Sequence, residues 1–96
     1  MTVVSVLHLR ARADVDLAAA FAELEIFEHS RQSGGFLGGR LLRALDGGGY
    51  LVVAEWEDAE AYQGWLDNPV RAELGAQLEP LLTEDVASGE LFEEVR

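Results

Sequence analysis

Two segments of the chain are apolar on both faces of a strand, and this feature constrains the fold more than any other. Residues 2–10 carry Val or Leu at odd and at even positions, and residues 51–54 read Leu-Val-Val-Ala. Such residues favour strands, and successive side chains of a strand point to opposite faces of its sheet. We therefore expect a sheet in which both faces are covered.

Helical and turn patterns define the elements around these strands. Residues 14–32 repeat apolar side chains every three or four positions, which predicts one helix capped by Asp14 or Asp16. The glycines after Ser33 end that helix. The predicted elements, in order, are strand 2–10, helix 14–32, strand 36–45, hairpin turn 46–49, strand 50–57, a helix capped at 58, a helix from 69, and strand 89–95.

This element order predicts an α+β fold of the ferredoxin-like type. The order β-α-β-β-α-(α)-β is the split β-α-β arrangement, a four-stranded antiparallel sheet with the helices on one face. We expect residues 1–96 to form a single domain. Since the helices cover one face, the other apolar face needs a partner, and an identical sheet is the simplest one. Hydrophobic residues make up 49% of this short chain, which adds to the prediction of a homodimer.

The charge and composition exclude several classes of protein. The chain has 18 acidic and 7 basic residues and a formal net charge of −11, which repels nucleic acids and anionic membranes. There is no cysteine, so disulfides, thiolate nucleophiles and zinc–thiolate sites are excluded. The N-terminus lacks a basic leader followed by an apolar core, and no apolar run reaches about 18 residues. We expect a cytoplasmic protein that binds neither nucleic acid nor membrane.

Three stretches of the chain resemble the antibiotic biosynthesis monooxygenase family. Residues 33–38, Ser-Gly-Gly-Phe-Leu-Gly, are similar to the family's turn into strand two, with glycine in place of the usual proline. Residues 52–65 are similar to the family pattern of a strand ending in Trp, then an acidic cap, Glu-Ala-aromatic and a later Trp. The third stretch is Asn68-Pro69 and the helix that follows it. The resemblance implies a dimeric α/β barrel with a separate pocket in each subunit, under the helices.

The resemblance also points to candidate residues for that pocket. The residue that matches Trp65 lines the cavity of haem-degrading relatives, and Leu7 lies at the position of their strand-one Asn. Tyr62, one helical turn before Trp65, could offer its hydroxyl to a bound oxygen atom, and Arg40 could hold an anionic group. Core packing and ion pairing are the alternative interpretations of these residues. His8 follows Leu7 on the opposite face of the strand, so we expect it at the dimer interface.

A haem-iron ligand is not evident in the sequence. Haem-degrading relatives carry a His shortly after the helix Trp, and this position falls on Leu74 or Gly75. No histidine follows His29 in the chain. The two histidines do not form a metal site, so we expect neither a metal nor another cofactor.

Three functions stay open at this point. The first is a cofactor-independent monooxygenase that oxidises a small electron-rich aromatic, such as an anthrone, phenol or quinol, with O₂. The second is a non-catalytic dimeric barrel that binds a small apolar molecule, which the apolar Leu7 favours. The third is a haem-binding and haem-degrading oxygenase. A cavity filled by side chains would favour the second function, and an open apolar pocket with convergent hydrogen-bond donors would favour the first.

Overall fold

The computed structural model describes residues 2–83 and 89–95 and contains four strands and four α-helices in these ranges. A single 3₁₀ turn, Glu79–Leu81, follows the last helix. The elements are β1 (Val3–Leu9), α1 (Leu17–Glu23), α2 (Ile26–Ser33), β2 (Phe36–Arg43), β3 (Tyr50–Trp56), α3 (Ala59–Leu66), α4 (Pro69–Leu78) and β4 (Glu90–Glu93).

The four strands form one antiparallel sheet in the order β2-β3-β1-β4. β1 lies in the interior of the sheet, where Ser5 pairs with Ala54 of β3 and with Leu91 of β4. An irregularity in the β2–β3 register lies between Phe36 and Gly38. This order, with the helices packed on one face, confirms the predicted ferredoxin-like α+β fold of the chain.

The prediction of one helix over residues 14–32 is wrong, because the structure has two helices there. Asp16 caps α1 by accepting a hydrogen bond from the Ala19 N–H at 3.1 Å. The backbone then turns at Glu25, whose φ of 52° lies in the left-handed region, and α2 begins at the next residue. Both helices keep the 3.6-residue period, so periodicity alone cannot show that the axis changes direction between them.

The predicted starts of the later helices are confirmed. The Asp58 carboxylate accepts a hydrogen bond from the Ala61 N–H at 2.8 Å, which caps α3. The Asn68 side chain accepts one from the Val70 N–H at 2.9 Å, and Pro69 occupies the first turn of α4. These side chains satisfy N–H groups that have no partner within the helix itself.

The core lies between the helices and one face of the sheet. An unbroken series of aromatic rings crosses it, with neighbouring centroids 5.2 to 6.1 Å apart. Such separations are those of favourable edge-to-face and offset contacts between buried rings. The rings belong, in order, to Phe21, Phe27, Phe36, Trp56 and Tyr62.

The opposite face of the sheet is open in this single chain. The pairs Val6–Val53 and His8–Leu51 place apolar and polar side chains on this open sheet face, and Phe92 of β4 is 52% exposed there. Among the described residues, no helix is long and apolar enough to cross a membrane.

Candidate functional site

A cavity of about 340 Å³ lies between the sheet and the helices. Its walls come from β1, β3 and all four helices, with one further residue from the 3₁₀ turn. Aliphatic and aromatic side chains make up most of the lining. Such a concave apolar site with a few polar groups is typical of small-molecule pockets.

The floor of the cavity is the covered face of the two central strands. β1 contributes Ser5, Leu7 and Leu9, and β3 contributes Ala54 and Trp56 among others. These residues alternate along their strands, so each presents its side chain to the same face. The structure thus places Leu7 in the cavity lining.

Helix α3 brings two of the sequence-predicted residues to the cavity. Tyr62 and Trp65 lie three residues apart, on one side of the helix, and both are buried and line the cavity. The Tyr62 hydroxyl oxygen accepts a hydrogen bond from the Gly89 N–H at 2.8 Å, just before β4. This bond ties the helix to the edge of the sheet beside the cavity.

The indole N–H of Trp65 has no hydrogen-bond partner within residues 2–83 and 89–95. In that part of the chain, no fully buried side-chain nitrogen or oxygen lacks a partner. The Trp65 N–H therefore reaches accessible surface, and it remains available as a donor to a bound molecule.

Sequence reasoning missed a polar pair on the floor of the cavity. The Trp56 N–H donates a hydrogen bond to the Ser5 hydroxyl oxygen at 3.0 Å, and both residues are buried. Alternation along β1 was the available signal, because it places Ser5 on the same face as Leu7. A second buried serine, Ser30, also lines the cavity, and its hydroxyl donates to the Ile26 carbonyl at 2.9 Å.

The structure does not bring Arg40 to the cavity. Arg40 pairs with Val53, which pairs with Val6, and all three side chains lie on the open sheet face. The irregularity after Phe36 is the physical reason, since an extra residue in a strand reverses which positions face the core. Without it, Arg40 would share the face of the buried Phe36.

His8 also lies on the open sheet face, as alternation from Leu7 predicts. Its Nε2 atom is 3.8 Å from a carboxylate oxygen of Glu90, and both side chains are mostly exposed in the single chain. A role at a subunit interface stays a prediction.

Helix α4 supplies the remaining wall and the charged groups. Leu74 and Gly75, the two positions where haem-degrading relatives carry a histidine, both line the cavity. Arg71 is half-buried and Glu79 is exposed, so both place charge where the cavity meets solvent.

The described lining does not fit a haem group. It contains no histidine, cysteine or methionine among residues 2–83 and 89–95, and His8 lies on the other side of the sheet. Those are the side chains that most often bind haem iron. In the same ranges, no group of three or more His, Cys, Asp or Glu residues could hold a metal ion.

Comparison with known proteins identifies the family. The model of the antibiotic biosynthesis monooxygenase family matches residues 2–76 of the chain. The chain therefore belongs to this family of monooxygenase-like proteins, as the resemblance of its motifs predicts.

Particular relatives fall into two groups. Mycobilin-producing haem oxygenases of two Mycobacterium tuberculosis strains are 43% identical to this chain over 53 residues. That match covers 53% of this chain and 50% of theirs, so it spans about half the length of these relatives.

Solved structures resemble the whole chain. SnoaB, a cofactor-independent oxygenase from Streptomyces nogalater, is 26% identical with a TM-score of 0.69, covering 99% of this chain and 92% of its own. Rv0793 from Mycobacterium tuberculosis is 22% identical with a TM-score of 0.76, and the match covers 100% of this chain and 97% of Rv0793. A conserved protein from Methanosarcina mazei is 13% identical with a TM-score of 0.79, and the match covers 99% of this chain and 94% of that protein. The last two likenesses show the fold alone.

Proposed function

We propose that the chain is a cofactor-independent monooxygenase that oxidises a small electron-rich aromatic with O₂. The observation that carries this proposal is the open apolar cavity, whose lining includes Trp65, a residue with an N–H that has no partner among the described residues. In a protein that served only for assembly, we would expect side chains to fill this interior. The similarity to SnoaB, a cofactor-independent oxygenase, supports the same reaction class.

The substrate itself supplies the electrons that reduce O₂, so the reaction needs no other reductant. An anthrone loses the two hydrogens of its methylene carbon, that carbon gains one oxygen atom as a new carbonyl, and the second oxygen atom leaves as water. The electrons come from the substrate after it is deprotonated to an aromatic enolate. The protein would supply a dry cavity, orientation and donors to the developing anion.

The lining suits these roles. Rings of Phe21, Trp56 and Trp65 can pack against a flat aromatic substrate, and the aliphatic groups of Leu7 and Leu74 exclude water. The Trp65 N–H would donate to the substrate oxygen, and Tyr62 would hold α3 in register through its bond from the Gly89 N–H.

Oxygen consumption with anthrone tests the proposal. We expect one O₂ to be consumed for each anthraquinone formed, measured with an oxygen electrode and by product absorbance. Ala54→Leu, which adds bulk on the cavity floor, should abolish this turnover. Ala18→Leu, the same change at an exposed position of α1, should leave it unchanged. If a panel of anthrones, phenols and quinols gave no uptake above the background without protein, the proposal would be wrong.

We also propose that two chains pair through the open sheet face. That face carries Val6, Val53 and Leu51, and exposes Leu42 and Phe92 by 41% and 52%. Exposed apolar side chains on a small domain favour association even where Arg40 and His8 share the face, and the same face of a second copy can meet it under two-fold symmetry.

Haem is the second ligand class to test, because the Mycobacterium tuberculosis relatives that are 43% identical over 53 residues are haem oxygenases. Since the described lining lacks an iron-binding histidine, we expect no shift of the haem absorption band on titration with the protein. A sharp shifted band at one haem per chain would instead support the haem-degrading class.

A further inference from the structure

The two buried serines of the cavity have different hydrogen-bonding states. Ser30 lies in α2, and its hydroxyl hydrogen is committed to the Ile26 carbonyl of the same helix. Ser5 lies in β1, and its oxygen accepts the Trp56 N–H. A hydroxyl that accepts still has one hydrogen to donate, and the Ser5 hydroxyl has no acceptor within residues 2–83 and 89–95.

Ser5 lines the cavity beside two cross-strand neighbours, Ala54 of β3 and Leu91 of β4. Its cross-strand neighbour on β3 is Ala54, whose side chain is a single methyl group and also lines the cavity. Trp56 lies two residues further along β3, on the same face, and its indole reaches diagonally to Ser5. The Trp56 ring that donates to this hydroxyl is 1% exposed, so the packing around the ring holds it against Ser5.

We propose that Ser5 is a ligand-binding residue that donates a hydrogen bond to an oxygen atom of the bound aromatic, and that Trp56 is its positioning residue. The inference rests on the proposed function in one respect, namely that the cavity binds an oxygen-bearing aromatic. Because the Trp56 N–H occupies one acceptor position of the hydroxyl, the Ser5 hydrogen stays free to rotate toward an acceptor in the cavity. A buried donor left without a partner is costly, so a ligand that supplies an acceptor gains affinity.

This arrangement selects the chemical class of the ligand. Ser5 and Trp65 each offer a donor, and so does the Tyr62 hydroxyl, which accepts from the Gly89 N–H and keeps its own hydrogen. The ligand class is therefore an aromatic with an acceptor oxygen, in particular a phenol or an enol that binds as its anion. The unsubstituted hydrocarbon would fill the cavity equally well but would leave these donors unpaired.

Anaerobic binding of two matched probes tests the assignment. The probes are 1-naphthol and naphthalene, which differ by one oxygen atom, and affinity is measured by calorimetry without O₂ so that no turnover occurs. We expect Ser5→Ala to weaken 1-naphthol binding by about tenfold and to leave naphthalene binding within about twofold. Ser30→Ala removes an equally buried hydroxyl whose hydrogen is already committed, so it should leave the ratio of the two affinities unchanged.

A conservative variant separates binding from folding. Ser5→Ala also removes the acceptor of the Trp56 N–H, so a lower melting temperature is expected and all affinities are measured well below it. Ser5→Thr keeps the hydroxyl on a strand-favouring residue and should restore the preference for 1-naphthol. Equal losses for the two probes in Ser5→Ala, equal effects of the two serine variants, or no binding of 1-naphthol would overturn the assignment. Because no oxygen is present, these outcomes do not depend on whether the protein turns over an anthrone.

Discussion

The two tryptophans of the cavity show how one residue type takes two roles. Both rings are buried and both line the cavity, but the Trp56 N–H is bonded to Ser5 whereas the Trp65 N–H has no partner among the described residues. The Trp56 N–H stabilises the fold and holds Ser5 in place through a satisfied buried bond, whereas the Trp65 N–H is still able to bond a ligand directly.

We predict that the same substitution mainly lowers turnover at Trp65 and mainly lowers stability at Trp56. Trp65→Phe removes an uncommitted donor together with part of a buried ring, so turnover of anthrone should fall by about tenfold or more, while the loss of stability should be smaller than for Trp56→Phe, where a hydrogen bond is lost as well. Trp56→Phe removes a buried bond and part of a packed ring, so the free energy of unfolding should fall by about 1–3 kcal/mol. Urea unfolding and oxygen uptake measure the two effects. If Trp65→Phe kept the full rate of oxygen uptake, the role assigned to its N–H would be wrong.

At the scale of elements, the turn from α2 into β2 explains part of the family motif. Gly35 has a φ of 75°, which disfavours residues with a side chain, and a Cβ atom there would overlap the Cβ of Ala61 in α3. Its carbonyl also accepts a hydrogen bond from the Glu57 N–H at 2.8 Å. The turn therefore holds β2, β3 and α3 close together, directly beside the cavity.

Gly35→Ala should lower the free energy of unfolding by about 2–4 kcal/mol, since it adds backbone strain to a steric overlap. Gly64→Ala is the matched control, because Gly64 lies in α3 and none of the described residues outside this helix comes within 4 Å of an added Cβ. That change should raise stability by about 0.5–1 kcal/mol, as alanine replaces glycine in a helix. Urea denaturation measures both, and a neutral Gly35→Ala would contradict the close approach seen here.

For the whole molecule, the open sheet face decides the state of assembly. Val53 lies on an interior strand of the sheet and faces away from the helices, beside Val6 of the next strand. A lysine there would put a second cation beside Arg40, which pairs with Val53 in the sheet, so pairing two such faces would bring like charges together and desolvate them.

Val53→Lys should therefore give a monomer where the unaltered protein is a dimer, as measured by light scattering after gel filtration. Ala18→Lys, on the exposed side of α1, should leave the mass of the particle unchanged. A dimer that persists in Val53→Lys would show that the chains associate through another surface.

Local patterns were sufficient for the predicted elements and the fold class. Apolar runs gave the positions of the strands, Asp58 and Asn68 marked helix starts by a physical mechanism that acts within a few residues, and the motifs around residues 33–38 and 52–65 pointed to the family. Alternation from Leu7 also placed His8 on the opposite face correctly. Each of these inferences depends on residues that are close together along the chain.

Only the tertiary structure decided which groups share the cavity. The turn at Glu25, the register irregularity after Phe36 that moves Arg40 to the open face, and the bond between Trp56 and Ser5 all depend on contacts between distant segments. The element order can be deduced from local periodicity, but the orientation of a side chain reverses with one extra residue in a strand. For that reason the sequence by itself determined the sheet and the family, whereas the packed chain divided the predicted helix 14–32 into α1 and α2 and decided which donors remain free to bind a ligand.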